Sequence, residues 1–70
     1  MLKRAVNLTG RPLQPILRGR PAVIREPTGC RRTTPVLWVE QLSSREIIFE
    51  TQNTVYRLRV VSPEKEAKWA

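Results

Sequence analysis

The sequence predicts an all-β fold, a small antiparallel meander or SH3-like barrel, and three observations lead there. Residues 33–62 contain three short runs, Pro35 to Leu42, Arg45 to Thr51 and Thr54 to Val61, rich in Val, Ile, Leu and aromatic side chains and separated by polar breaks. The third run alternates, with Tyr56, Leu58 and Val60 on one face and Arg57 and Arg59 on the other. In residues 1–32, Pro12, Pro15, Pro21 and Pro27, with Gly10, Gly19 and Gly29, interrupt any long helix.

Taken in order, the chain divides into a basic Pro/Arg-rich segment (1–32), the meander (33–62) and a C-terminal helical turn or tail (63–70). In the first segment the apolar runs Leu13 to Leu17 and Pro21 to Arg25 read as short or edge strands, where proline is tolerated. Arg4, Arg11, Arg18, Arg25 and Arg32 recur every seven residues, but the prolines between them exclude a helical heptad face.

Within the meander, a two-residue Gln52-Asn53 loop sets Phe49 opposite Tyr56, Ile47 opposite Leu58, Ile48 opposite Arg57 and Glu46 opposite Arg59. Every inward pair is then apolar, and Asn53 suits a turn position of positive φ. The preceding hairpin has two solutions: a Ser43-Ser44 loop places Trp38 beside Phe49, and a Ser43-Ser44-Arg45 loop places Val39 there. Ser62-Pro63-Glu64 opens like a helix, with Ser as N-cap, Pro at the first position and an acid in the first turn.

Seventy residues make one domain at most, and a domain of this size buries only about 60% of its unfolded surface. Three strands with an open face are marginal on their own. A second layer is therefore expected, from the N-terminal half, as in an SH3-like barrel, or from another copy of the chain in a homo-oligomer.

The chemistry is defined as much by what is missing. The chain has one cysteine, Cys30, no histidine and no aspartate, so an internal disulfide is impossible and one chain lacks the ligands for a zinc site. No phosphate-binding loop or dinucleotide motif occurs, and no cofactor is expected. Glu46 and Glu50 share a strand face, but pairing with Arg57 and Arg59 suits them better than catalysis, and an enzyme is not expected. No run approaches the roughly 18 apolar residues of a membrane span, and the lone thiol fits a reducing cytoplasm.

Charge supplies the functional expectation. The chain carries a net +7, and all of it lies in residues 1–32, where eight Lys and Arg side chains face a single acid, Glu26. Arginine dominates, which favours bidentate contact with phosphate. Arg11, Arg18, Arg20, Arg31 and Arg32 are the candidate phosphate contacts, with Arg57 beside an exposed Ile48 as a secondary patch. The expected function is a non-enzymatic binding module for nucleic acid or another anionic ligand. The alternative is a phage-type or bacterial interaction or inhibitor module, which docks a protein partner through a sheet edge or sequesters a small nucleotide at an oligomer interface.

Thr33-Thr34-Pro35-Val36 and the stretch from Glu50 to Leu58, ETQNTVYRL, resemble a pattern of short uncharacterised bacterial and phage β proteins: a Thr-Ser/Thr-x-Val start followed by a Thr-x-Asn-Ser/Thr-x-Tyr hairpin. The resemblance implies a compact β fold, with Thr51 and Asn53 shaping the turn and Tyr56 packing in the core. It implies no activity and does not extend to the Arg-rich half.

Overall fold

A computed structural model describes residues 3–61 and contains six strands: β1 (Arg4–Pro12), β2 (Pro21–Glu26), β3 (Gly29–Pro35), β4 (Trp38–Ser43), β5 (Glu46–Glu50) and β6 (Thr54–Val60). They form one sheet in the order β3-β2-β1-β6-β5-β4. The β1–β6 pair is parallel, and every other neighbouring pair is antiparallel.

The meander of β4, β5 and β6 follows from side-chain alternation. Phe49 lies opposite Tyr56, Ile47 opposite Leu58, Ile48 opposite Arg57 and Glu46 opposite Arg59, the register expected from matching apolar residues on one face. Phe49 and Tyr56 stack with ring centroids 4.8 Å apart. The turn at Gln52-Asn53 is closed by Thr51, whose N–H donates to the Thr54 carbonyl at 2.8 Å. Asn53 does not use the left-handed backbone expected of it, since no non-glycine residue among those described has positive φ.

The first hairpin places Val39, not Trp38, opposite Phe49, and Trp38 faces outward opposite Glu50. Its turn is Ser44-Arg45, and the register slips between Gln41 and Ser43, leaving Leu42 as the extra residue of a bulge. β4 starts at Trp38 because Thr33, Thr34 and Pro35 complete β3.

The N-terminal half supplies strands of the same sheet. β1, the longest at nine residues, alternates Val6, Leu8 and Gly10 inward with Asn7 and Thr9 outward, and lies beside β6. Pro21–Glu26 forms β2, yet it is an interior strand between β1 and β3 and not an edge; Pro21 fits as its first residue. Leu13 to Leu17 is not a strand: Ile16 alone packs against the core, while Leu13 and Leu17 remain exposed.

The sheet curls without closing. β3 and β4 are its outer strands, yet only Val36 and Leu37 connect them. Three Cα steps reach at most about 11 Å, whereas five strand spacings in a flat sheet would cover about 24 Å. The edges must converge at this corner, where the Leu37 N–H donates to the Glu50 carbonyl at 2.7 Å. β3 and β4 do not pair with each other among the described residues, so the SH3-like barrel expectation is corrected to an open, coiled sheet.

The concave face encloses a single core of Leu8, Ala22, Ile24, Val36, Phe49 and Leu58, drawn from both halves of the chain. At the bulge between Pro21 and Val23, the buried Thr33 hydroxyl accepts the Ala22 N–H at 3.0 Å and donates to the Thr34 carbonyl at 2.7 Å. Gly10 marks the crossing where β1 passes from β6 to β2. A Cβ there would lie 2.0 Å from the Arg25 carbonyl oxygen, so only glycine permits the approach. The C-terminal helical turn expected from Ser62 onward lies outside the described residues.

Candidate nucleic-acid interface

Directly paired residues share a face of a sheet, so the registers place the arginines. Leu8 and Leu58 face the core, which puts Asn7, Thr9, Arg57 and Arg59 on the outer face. Pro12 pairs with the buried Ile24, so Arg11 and its partner Arg25 also face outward, with Cys30 beyond Arg25 on β3. Arg32 pairs with Val23 on the same outer side and lies diagonal to Arg25.

The outer face therefore bears one arginine on each of four neighbouring strands: Arg32 on β3, Arg25 on β2, Arg11 on β1 and Arg59 on β6, with Arg57 one pleat away. Neighbouring strands are about 4.8 Å apart, so these long side chains share one stretch of the outer face, within which the Nε of Arg11 is buried. Arg25, Arg32, Arg57 and Arg59 are exposed and Arg11 is half-buried. Arg25, Arg32 and Arg59 form no ion pair among the described residues.

Acids bound this row on the side of β5. Arg57 Nε donates to Glu46 Oε2, and this bond, reinforced by the charges of Arg57 and Arg59 against desolvation, holds the Glu46 carboxyl below the usual carboxylate range. The same bond raises the Arg57 guanidinium above its ordinary value. Glu50 pairs instead with Lys3 at 3.4 Å, and Lys3 Nζ also donates to the Thr51 carbonyl at 2.9 Å. Both carboxylates of the Glu46/Glu50 pair are thus engaged with cations. Arg59, though opposite Glu46 in register, makes no ion pair with it.

The sequence-derived candidates divide into groups. Arg11, Arg32 and Arg57 are brought onto the outer face. Arg31 shares the face of Ile24 and pairs with Glu26 at 3.0 Å, near the tip of the β2–β3 hairpin. Arg18 and Arg20 flank Gly19 in the β1–β2 connection, where the Gly19 N–H donates to Val36 and the Val36 N–H to Arg20, away from the row. Ile48 does neighbour Arg57, but it is half-buried, not exposed.

Arg25 and Arg59 were missed, and both were within reach of alternation: Arg25 is out of phase with Ile24, and Arg59 is in phase with Arg57. Asn7 and Thr9 carried no such signal, because their neighbours come from β6, 50 residues later. Among the described residues no aromatic side chain joins the row: Phe49 and Tyr56 face inward, and Trp38 lies on β4. Asn7, Leu8, Thr9, Glu46, Arg57 and Arg59 line a shallow groove of about 330 Å³ at its β6 end. No helix among the described residues is long and apolar enough to cross a membrane. Compared with protein-family models, curated proteins and solved structures, the chain matches none.

Proposed function

We propose that this chain is a non-enzymatic module that holds the phosphodiester backbone of nucleic acid against its outer face. The observation that carries this reading is the row of Arg32, Arg25, Arg11 and Arg59, one per strand across four adjacent strands. Guanidinium groups match phosphate oxygens bidentately, and a row without aromatic side chains among the described residues suits backbone charge and not bases. Binding should therefore tolerate changes of sequence. The exposed lone thiol of Cys30 suits a reducing, cytoplasmic setting. The likeness of residues 33–36 and 50–58 to short bacterial and phage β proteins favours a setting of that kind.

Fluorescence anisotropy with single- and double-stranded oligonucleotides across a salt series tests the reading. Four phosphate contacts give a slope of log K against log salt of about −3.5, and R25A or R32A reduces it by about one each. A folded chain that binds no oligonucleotide at low salt, or binds without salt dependence, overturns it.

A second reading, docking of a protein partner or of another copy, rests on the contrast between the sheet's edges. β3 is guarded by Arg31, Arg32 and Pro35, whereas β4 has no Lys, Arg or Pro and leaves Trp38 45% and Leu42 43% exposed. Strand addition at β4 would be nearly insensitive to salt, which separates it from phosphate binding.

A further inference from the structure

We propose that the groove over β1 and β6 seats the terminal phosphate of a nucleic-acid strand, so that the module recognises strand ends. This inference rests on the phosphodiester reading above and gives it a direction. The parallel register places Asn7 beside Arg57 and Thr9 beside Arg59, so four polar side chains stand at the corners of one patch. Its sides are about 4.8 Å across the strands and about 6.6 Å along them. These residues, with Glu46 as one wall, line the groove of about 330 Å³.

The donors in this patch are uncommitted or partly so. The side chains of Asn7, Thr9 and Arg59 make no hydrogen bond among the described residues, and Arg57 uses Nε on Glu46 while its two Nη groups remain. Two guanidinium groups, an amide and a hydroxyl suit a phosphate monoester, which carries about −1.5 to −2 charges and three strong acceptor oxygens. An internal phosphodiester offers one charge and two such oxygens, and would leave part of this set unused.

Direction comes from the surroundings of the groove. On the β1 side the row continues through Arg11, Arg25 and Arg32, which favours a polyanion leaving that way. On the β5 side stands Glu46, with Glu50 on the same strand face and Glu40 beyond it on β4, opposite Ile48. A phosphate chain crossing β5 would meet these three carboxylates against two cations, Lys3 on Glu50 and Arg57 on Glu46. The backbone is accepted from β3 to β6 and refused at β5, so the groove is the place where a strand stops. Until it is filled, the Glu46 carboxylate occupies Arg57 as an internal anion.

The test compares oligonucleotides of one sequence bearing a 5′-phosphate, a 3′-phosphate or hydroxyl groups at both ends, by anisotropy competition with the full chain. One terminal phosphate is expected to tighten binding about tenfold over the hydroxyl-ended form, the worth of one or two charge-assisted hydrogen bonds. N7A and T9V, both at exposed outer positions, are expected to bring the phosphorylated form to the affinity of the hydroxyl-ended one. E46Q, which frees Arg57 and removes the stop, is expected to tighten binding of the phosphorylated and hydroxyl-ended forms alike. Equal, salt-sensitive binding of all three oligonucleotides overturns end recognition and leaves backbone binding standing. No binding of any of them by chain shown folded by circular dichroism overturns both.

Discussion

Strands β4 to β6 are joined by two short hairpins, and β5 and β6 pair in a register set by their own alternation, whereas in the other half only β2 and β3 form a hairpin: β1 depends on β6, 50 residues later in the chain, and the geometry departs from regularity at a bulge and at Gly10. In the meander, Phe49, Ile47, Tyr56 and Leu58 determine the β5–β6 pairing by themselves. In the other half, β1 owes its place to β6, β2 bends at a bulge satisfied by the Thr33 hydroxyl, and Gly10 admits the Arg25 carbonyl where a side chain would collide with it. The apolar half of the chain thus specifies its own hairpin, and the basic half completes the sheet while lending its outer face to charge. Both nonetheless share one core, because Ile24 and Phe49 belong to the same cluster.

That shared core is the first thing to break. Phe49→Ala is expected to cost about 3–5 kcal/mol and Ile24→Ala about 2–5 kcal/mol, since both side chains are fully buried. Losses of that size approach the whole stability of a small domain. Urea unfolding followed by far-UV circular dichroism should show a single transition for each variant, moved to lower denaturant. If I24A gives two transitions, with the meander melting separately, the halves are independent and the single core is wrong.

Gly10→Ala should follow, at about 1–3 kcal/mol, because the crossing of β1 and β2 must open to admit the methyl group. Ala substitution at Gly29, where a Cβ meets nothing within 4 Å, is the control for left-handed backbone alone. Equal losses at both glycines would remove the close approach as the explanation for Gly10.

Thr33→Val keeps the shape and β-propensity of its strand while leaving the Ala22 N–H without its acceptor at a buried position, at a cost of about 1–3 kcal/mol. Thr33→Ser, which retains the hydroxyl, should recover most of the loss. Stability of T33V equal to the parent would mean that the bulge is held by packing alone.

The smallest effect belongs to the outer face. Glu46 titrates below its ordinary 4.5 in the folded chain, chiefly through its hydrogen bond with Arg57. Its contribution is therefore complete above the unfolded-state pKa and is lost as the pH falls through the lowered folded value. Urea midpoints measured from pH 6 to pH 3 should fall more for the parent than for E46Q, and high salt should shrink the difference. Parallel pH curves for the two proteins would show that the pair contributes nothing to folding.

These contrasts also explain which parts of the fold could be read in the sequence. The β5–β6 register was legible because inward positions are apolar and Glu46 faces an opposite charge, so a slip of one residue would exchange the faces. The β4–β5 alternatives stayed open because a bulge at Leu42 has no signature in Gln41-Leu42-Ser43. β3, GCRRTTP, has one buried residue, Thr33, and no apolar run; it is a strand because β2 offers a partner. Leu13 to Leu17 showed the reverse, an apolar run with Pro15 at its centre and only Ile16 drawn into the core. For the interface, the excess of arginine was plain, but which arginines share a face depends on the pairings of β1 with β2 and with β6, which local patterning does not reveal.

That pairing joins Arg4 to Thr54 and so closes a loop of 50 residues at the middle of the sheet. Contacts of such span form late, since chain entropy must be surrendered before they repay it, and folding should be slow for a protein of this length, in the millisecond-to-second range typical of non-local β topologies. Until β1 arrives, the paired hairpins would present β6 as a raw edge, with Leu58 uncovered where Leu8 belongs. During synthesis β1 emerges before β6 yet must wait for it. The strand that completes the fold is thus made before the one it completes, and its two arginines, Arg4 and Arg11, help to keep it in solution through that interval.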